Sequence, residues 1–263
     1  MAYNIPVAEV CINKVRGADV IMSNPSAIEP QAASSSPKLW TVGRILQLIL
    51  TLGLWVGAPF LAAGSVRWLR GWICVIATLG MYAVAVVLVQ RRNPALLDAR
   101  ANWRHKDTKS FDKVFVTLML PLYFVQPVVA GLDAVRYRWT SMPFATVYVG
   151  LVFLVLGMGL VTWAMMVNPF AETTVRIQTE RHQTTVTTGP YRFVRHPMYV
   201  GGILLVPAMG FVFGSIWAVV IGVSLAALFV WRTAKEDEVL GRELPGYEQF
   251  AAVTRYRLLP GVW

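Results

Sequence analysis

Charge is scarce in this chain, and cysteine and histidine are scarcer still. Only 14% of its 263 residues are Asp, Glu, Lys or Arg, where soluble domains approach about a quarter, and this deficit excludes an ordinary soluble globular protein. Two cysteines, Cys11 in a polar segment and Cys74 in an apolar run, make no disulfide framework. His105, His182 and His196 stand singly, with no second ligand at metal-binding spacing, so no metal centre is expected. No glycine-rich phosphate loop follows a strand. The Gly157-Met158-Gly159 pair lies inside an apolar run, where close helix packing is the expected role. Residues 1–37 have no sustained period and lack the apolar core and small-residue cleavage site of a signal peptide. They are expected to form a disordered tail.

What is abundant is apolar sequence. The chain is 56% hydrophobic with a mean hydropathy of +0.54. Apolar runs occupy about 40–63, 68–89, 114–135 and 143–167, followed by two shorter ones at 198–213 and 215–231. A bilayer crossing needs roughly 20 such residues, and in lipid only helices or closed barrels satisfy their own backbones. The expected fold class is therefore all-α: a polytopic membrane protein of about six transmembrane helices, the last two forming a helical hairpin turned at Gly214-Ser215. A net charge of +10 would point to nucleic acid in a soluble protein. Here 19 of the 24 Lys and Arg fall in the tail, the 91–113 loop, the segment before the hairpin and the C-terminal segment. Only Arg67, Arg70, Arg136 and Arg138 lie in the two opposite loops. That asymmetry predicts both termini in the cytoplasm of a multi-pass protein, with basic loops facing anionic lipid and no nucleic-acid partner; the expected location is a bacterial inner membrane.

Two stretches break the apolar pattern, TGPYRFVRHPMY at 188–199 and WRTAKEDEVL at 231–240. No residue from Pro197 to Leu228 is charged, so a hairpin of two helices returns Arg232 and Glu236 to the membrane face that holds Arg195 and His196. Ionisable groups at that depth are costly and mark a functional site by default. Arg232 and Glu236 share a helix face, and a plain intrahelical salt bridge is the alternative; Arg preceding Glu is the weaker order for one. His196 precedes Pro197 at a helix start, where free N–H groups attract anions, although a lone histidine is more often structural. Between them and the fourth span, NPFAETTVRIQTERHQTTVTTG at 168–189 is a long, Thr-rich polar connector of the kind that is usually functional. The segment ELPGYEQFAAVTRYRLLPGVW that follows is either an interfacial amphipathic helix or a lid over the site.

These motifs, GPYRFVRHPMYVGG at 189–202, RTAKED at 232–237 and a closing Gly-Tyr and RYRLLPGVW, resemble the isoprenylcysteine carboxyl methyltransferase family, with its bacterial members and the related phospholipid methyltransferases. The resemblance covers about residues 168–263 and divides the chain into a tail (1–37), four transmembrane helices (38–167) and a catalytic region (168–263) of polar loop, hairpin and C-terminal tail. It implies S-adenosylmethionine held in a cytoplasmic pocket between hairpin and loop, and a lipophilic or lipid methyl acceptor that arrives from the membrane. Gln178, Gln183, Thr184, Thr185 and Val186 match loop positions around the cofactor. Tyr191, His196, Pro197, Met198 and Tyr199 match the central motif, Glu236 the acidic cofactor contact, and Arg232 the arginine at the acceptor group, such as the carboxylate of an isoprenylcysteine-like compound. The acidic pair here is Glu236-Asp237 in place of two glutamates. Two other readings compete: an NADPH-dependent membrane reductase of the sterol or steroid type, and a non-enzymatic membrane protein.

Overall fold

Apolar runs that find no water for their backbones close their hydrogen bonds internally. The computed structural model, which describes residues 12–15, 18–21, 42–101 and 105–263, is accordingly helical from residue 42 onward. The helices are α1 (Val42–Ala63), α2 (Leu69–Arg92), α3 (Pro94–Ala101), α4 (Ser110–Gly131), α5 (Thr146–Val167), α6 (Pro197–Phe213), α7 (Ile216–Glu243) and α8 (Tyr247–Val253). A π-helical turn, Leu132–Tyr137, prolongs α4. Four helices are long and apolar enough to cross a membrane: α2, α4 with its extension, α5 and α7. The apolar part of α1, Ile49–Ala63, and α6 are shorter. At 17 residues, α6 spans roughly 26 Å.

Three boundaries differ from expectation, each for a local reason. The short α3 opens the basic 91–113 loop with Pro94 at its first position, where a missing N–H costs nothing. The helix α4 begins at Ser110, four residues early, and so takes Asp112 into its first turn. The helix α7 runs 28 residues to Glu243, because AKEDEVLGRE contains good helix formers and no proline before Pro245. Its roughly 42 Å outruns a hydrocarbon core of about 30 Å, so the turns carrying Arg232, Glu236 and Asp237 stand at the polar end.

Small residues bring the last helices together. A Cβ built on Gly201 of α6 would lie 2.6 Å from the Gly157 carbonyl oxygen of α5, and one on Gly157 would lie 2.8 Å from that of Gly201. The two backbones are therefore in contact, as small-residue interfaces in membranes allow. Gly159, expected to pack beside Gly157, has nothing within 4 Å of its Cβ direction. The hairpin closes through Gly214, at φ 80°, a conformation glycine adopts without steric cost. Fully buried Gln126 on α4 donates to the carbonyls of Val206 (2.6 Å) and Ala218 (2.9 Å), tying that span to both arms of the hairpin. Away from the polar end, Asp133 accepts from the Thr140 amide (2.8 Å) and from the Thr140 and Ser215 hydroxyls (both 2.6 Å), which locks the α4–α5 and α6–α7 connections together.

Residues 40–263 form one compact unit. Within the expected tail, Ile12–Val15 (β1) and Ala18–Ile21 (β2) pair as an antiparallel hairpin, Ile12 opposite Ile21; the remainder of residues 1–37 lies outside the described residues.

Candidate functional site

At the polar end the 168–196 connector folds against the start of α6, the end of α7 and α8. Two 3₁₀ turns, Thr179–Arg181 and Gly189–Arg192, shape it. Between these elements lies a small cavity of about 90 Å³, open to solvent on one side. Gln178, Gln183, Thr184, Thr185, Val186, Tyr191, His196, Met198, Tyr199, Arg232 and Glu236 all line it. Pro197 alone of the predicted residues does not; it is buried at the first position of α6 and sets where that helix begins. Asn168, Phe170, Arg176 and Leu240, not singled out from sequence, also line the cavity, and so do two residues expected at the membrane interface, Tyr247 and Phe250. The last two belong to α8 and are buried, so α8 forms part of the cavity wall and is more than an interfacial helix.

Asp237 is the hub of this end. Its Oδ1 accepts from Arg195 Nε (2.8 Å) and the Tyr247 hydroxyl (2.7 Å), and its Oδ2 from Arg195 Nη2 (3.0 Å) and Arg257 Nε (2.7 Å). His196 Nε2 lies 3.1 Å from Oδ1 and 3.2 Å from the Tyr247 hydroxyl. That imidazole is thus fixed in place by partners on α7 and α8. Backbone bonds complete the join: the Arg195 and His196 amides donate to the carbonyls of Tyr256 (2.9 Å) and Arg257 (3.0 Å). Burial, and then the neighbouring Asp237 carboxylate, push the Tyr247 phenol above its ordinary range, so it remains a donor.

Among the described residues Arg232 and Glu236 form no ion pair with each other. Glu236 accepts from the Tyr199 hydroxyl across the hairpin. Arg232, 7% exposed, turns towards α4 instead: its Nη2 lies 2.8 Å from Oδ1 of fully buried Asp112 and donates to the Thr173 carbonyl at 2.9 Å. The guanidinium sits over the rings of Phe115 (4.4 Å) and Tyr199 (5.2 Å). Its Nε is buried with no hydrogen-bond partner, and such orphaned donors are rare unless a ligand or water completes them.

The connector has its own frame. Arg176 clamps Glu172 through two bonds of 2.9 and 3.1 Å, and reaches Glu180 at 2.6 Å and Asp107 at 3.3 Å. The hydrogen bond from Arg176 holds the Glu180 carboxyl below its ordinary range. Gln178, 2% exposed, donates to the Phe170 carbonyl (2.8 Å), while its own amide N–H donates to the Gln183 side chain (2.8 Å). The Tyr191 hydroxyl accepts from Asn168 at 2.8 Å, and burial raises its pKa. Chemically, the cavity combines aromatic and apolar walls with two carboxylates, Glu236 and the Arg176-clamped Glu172, and the guanidinium of Arg232. It can hold a mixed apolar and charged ligand, orient it and exclude water.

No curated protein matches the chain. Residues 145–244, which carry α5, the connector, α6 and α7, match the family model of the phospholipid methyltransferases. Over that segment the chain is similar to phospholipid methyltransferases, and with its membrane-crossing helices this similarity supports an integral-membrane methyltransferase.

Proposed function

We propose that the protein is an S-adenosylmethionine-dependent methyltransferase of the membrane, acting on a lipophilic acceptor such as the carboxylate of an isoprenylcysteine-like compound. The observation that carries this reading is the gathering of eleven predicted residues from three separate segments around one cavity. The residues present fit the cofactor. Glu236 offers a carboxylate for its ammonium or ribose hydroxyls and complements a sulfonium. Tyr191, Met198 and Phe250 offer apolar surface for a purine, and the connector polar groups at 178–185 surround it. The cofactor, when bound, supplies a methyl group on a positively charged sulfur. Methyl transfer from sulfur then depends on in-line positioning and water exclusion more than on acid–base groups. Arg232, through its unpartnered Nε, holds an anionic acceptor group near the cofactor. A carboxylate acceptor needs no base, in keeping with the full engagement of His196 by Asp237 and Tyr247.

A reductase would need cations for the phosphates of NADPH. Of the two candidates, Arg195 is committed to Asp237 and Arg192 points to solvent. The site end of the molecule also bears the excess of Lys and Arg, which supports a cytoplasmic location in an inner membrane. Calorimetric titration of the purified full-length protein with S-adenosylmethionine and with NADPH tests the reading. Saturable one-site binding of the first and none of the second is expected; the reverse outcome overturns it in favour of a reductase.

A further inference from the structure

The guanidinium of Arg232 is held from outside the segment that matches the methyltransferase family. Asp112 lies in the first turn of α4, more than thirty residues before that segment begins. Its carboxylate is fully buried and does two things at once. Oδ1 faces Arg232 Nη2 at 2.8 Å, and Oδ2 accepts the Val175 amide at 2.9 Å. One residue group away, the Lys109 amide donates to the Val175 carbonyl at 3.1 Å, and Arg232 Nη2 donates to the Thr173 carbonyl at 2.9 Å. The start of α4, the 173–175 stretch of the connector and the end of α7 are therefore joined at one point. Phe115, the next residue of α4 on that face, lies beneath the guanidinium at 4.4 Å.

We propose that Asp112 is a positioning residue: it fixes the Arg232 fork and the 173–175 stretch of the connector as one clasp, so that α4, which contributes no residue to the cavity lining, braces the cofactor cavity. This rests on the methyltransferase reading above for its functional consequence. A nearly buried guanidinium needs a counter-charge, and Glu236, the obvious candidate four residues on, bonds to Tyr199 instead. Asp112 engages the Nη2 edge, and Nε is left without a hydrogen-bond partner. It also fastens the stretch that contributes Thr174, Val175 and Arg176 to the cavity wall.

The test uses the full-length protein with Asp112→Asn, Arg232→Gln and the double variant. It reads hydrogen exchange over residues 172–178 without any ligand, and S-adenosylmethionine affinity by calorimetry. Each single change is expected to speed exchange of that stretch at least tenfold and to weaken the cofactor about tenfold. The double variant, which leaves no unpaired buried charge, is expected to be no worse than the poorer single. If either single variant fails to fold, the double variant is read against wild type, and wild-type exchange and affinity in it would overturn the proposal. Fully additive losses would mean that Asp112 does not act through Arg232, and wild-type exchange and affinity in Asp112→Asn would likewise overturn the proposal. If wild-type protein binds no S-adenosylmethionine, the methyltransferase reading fails, while the ligand-free exchange result still decides whether the clasp exists.

Discussion

Replacing Asp237 by Asn should be the most damaging isosteric change at the polar end. The carboxylate accepts four hydrogen bonds, three of them from the guanidinium groups of Arg195 and Arg257. An asparagine keeps one acceptor oxygen and turns an NH₂ towards whichever donors faced the other. The Arg195 side chain is only 9% exposed and cannot recover its partner from water, whereas that of Arg257, at 33%, can turn outward. Removing one member of a buried charged network costs about 3–5 kcal/mol, and a contribution near that range is expected here. Thermal unfolding in detergent should show a clear fall in Tm. Limited proteolysis should show early loss of residues 254–263, because Arg257 and the tail bonds to Arg195 and His196 depend on the same hub. Glu238→Gln, at an exposed pair with Lys235 and Arg242 one position away, is the control and should cost under about 1 kcal/mol. Equal melting of Asp237→Asn and Glu238→Gln would refute the hub.

Other outcomes follow from the same geometry. Glu236→Gln should weaken S-adenosylmethionine by roughly ten- to a hundredfold, the loss of one charge-assisted hydrogen bond of about 1.5–3 kcal/mol. Arg232→Lys, which keeps the charge opposite Asp112 but loses the planar fork, should leave calorimetric cofactor affinity near wild type while turnover with an anionic acceptor drops. The connector should loosen in acid. Glu180 is held below its ordinary range by Arg176, so its contribution is full above the ordinary glutamate value of about 4.3 and is lost as pH falls through the lower folded value. Hydrogen exchange over 172–182 at pH 3 and pH 6 reads this, and the effect is small because the carboxyl is half exposed. Reporter fusions after Gly64 and Arg138 should map to the outer side of the membrane and one at Lys106 to the cytoplasm; an outer signal at Lys106 would contradict the span order.

Much of the helical framework was legible because it depends on local composition. Apolar runs of the right length become helices whatever they pack against, and each predicted span has its helix, with ends shifted by a few residues. The boundary that moved most, the end of α7, was misplaced because hydropathy falls at Trp231 while helix propensity does not. The candidate site residues came from a motif spaced along the chain, and the structure gathers all of them but Pro197 around one cavity. What escaped were partners distant in sequence. Asp112 meets Arg232 only after α4 and α7 have packed, and no periodicity marks it. The local alternative of an Arg232–Glu236 pair looked natural on a helical wheel, yet the Tyr199 hydroxyl and Asp112 claim the two side chains separately. Asp237 stood beside Glu236 as a second acid, and its role as hub depends on Arg257, twenty residues further on.

The central claim is that the cavity between connector, hairpin and α8 holds S-adenosylmethionine. Ultraviolet cross-linking of methyl-labelled S-adenosylmethionine to the purified protein, followed by peptide mapping, tests it most directly. Label confined to peptides spanning 183–199 and 236–250, and displaced by excess S-adenosylhomocysteine, is the predicted result. Displaceable label on α1 or α2, or on any peptide that contributes nothing to the cavity, would contradict it.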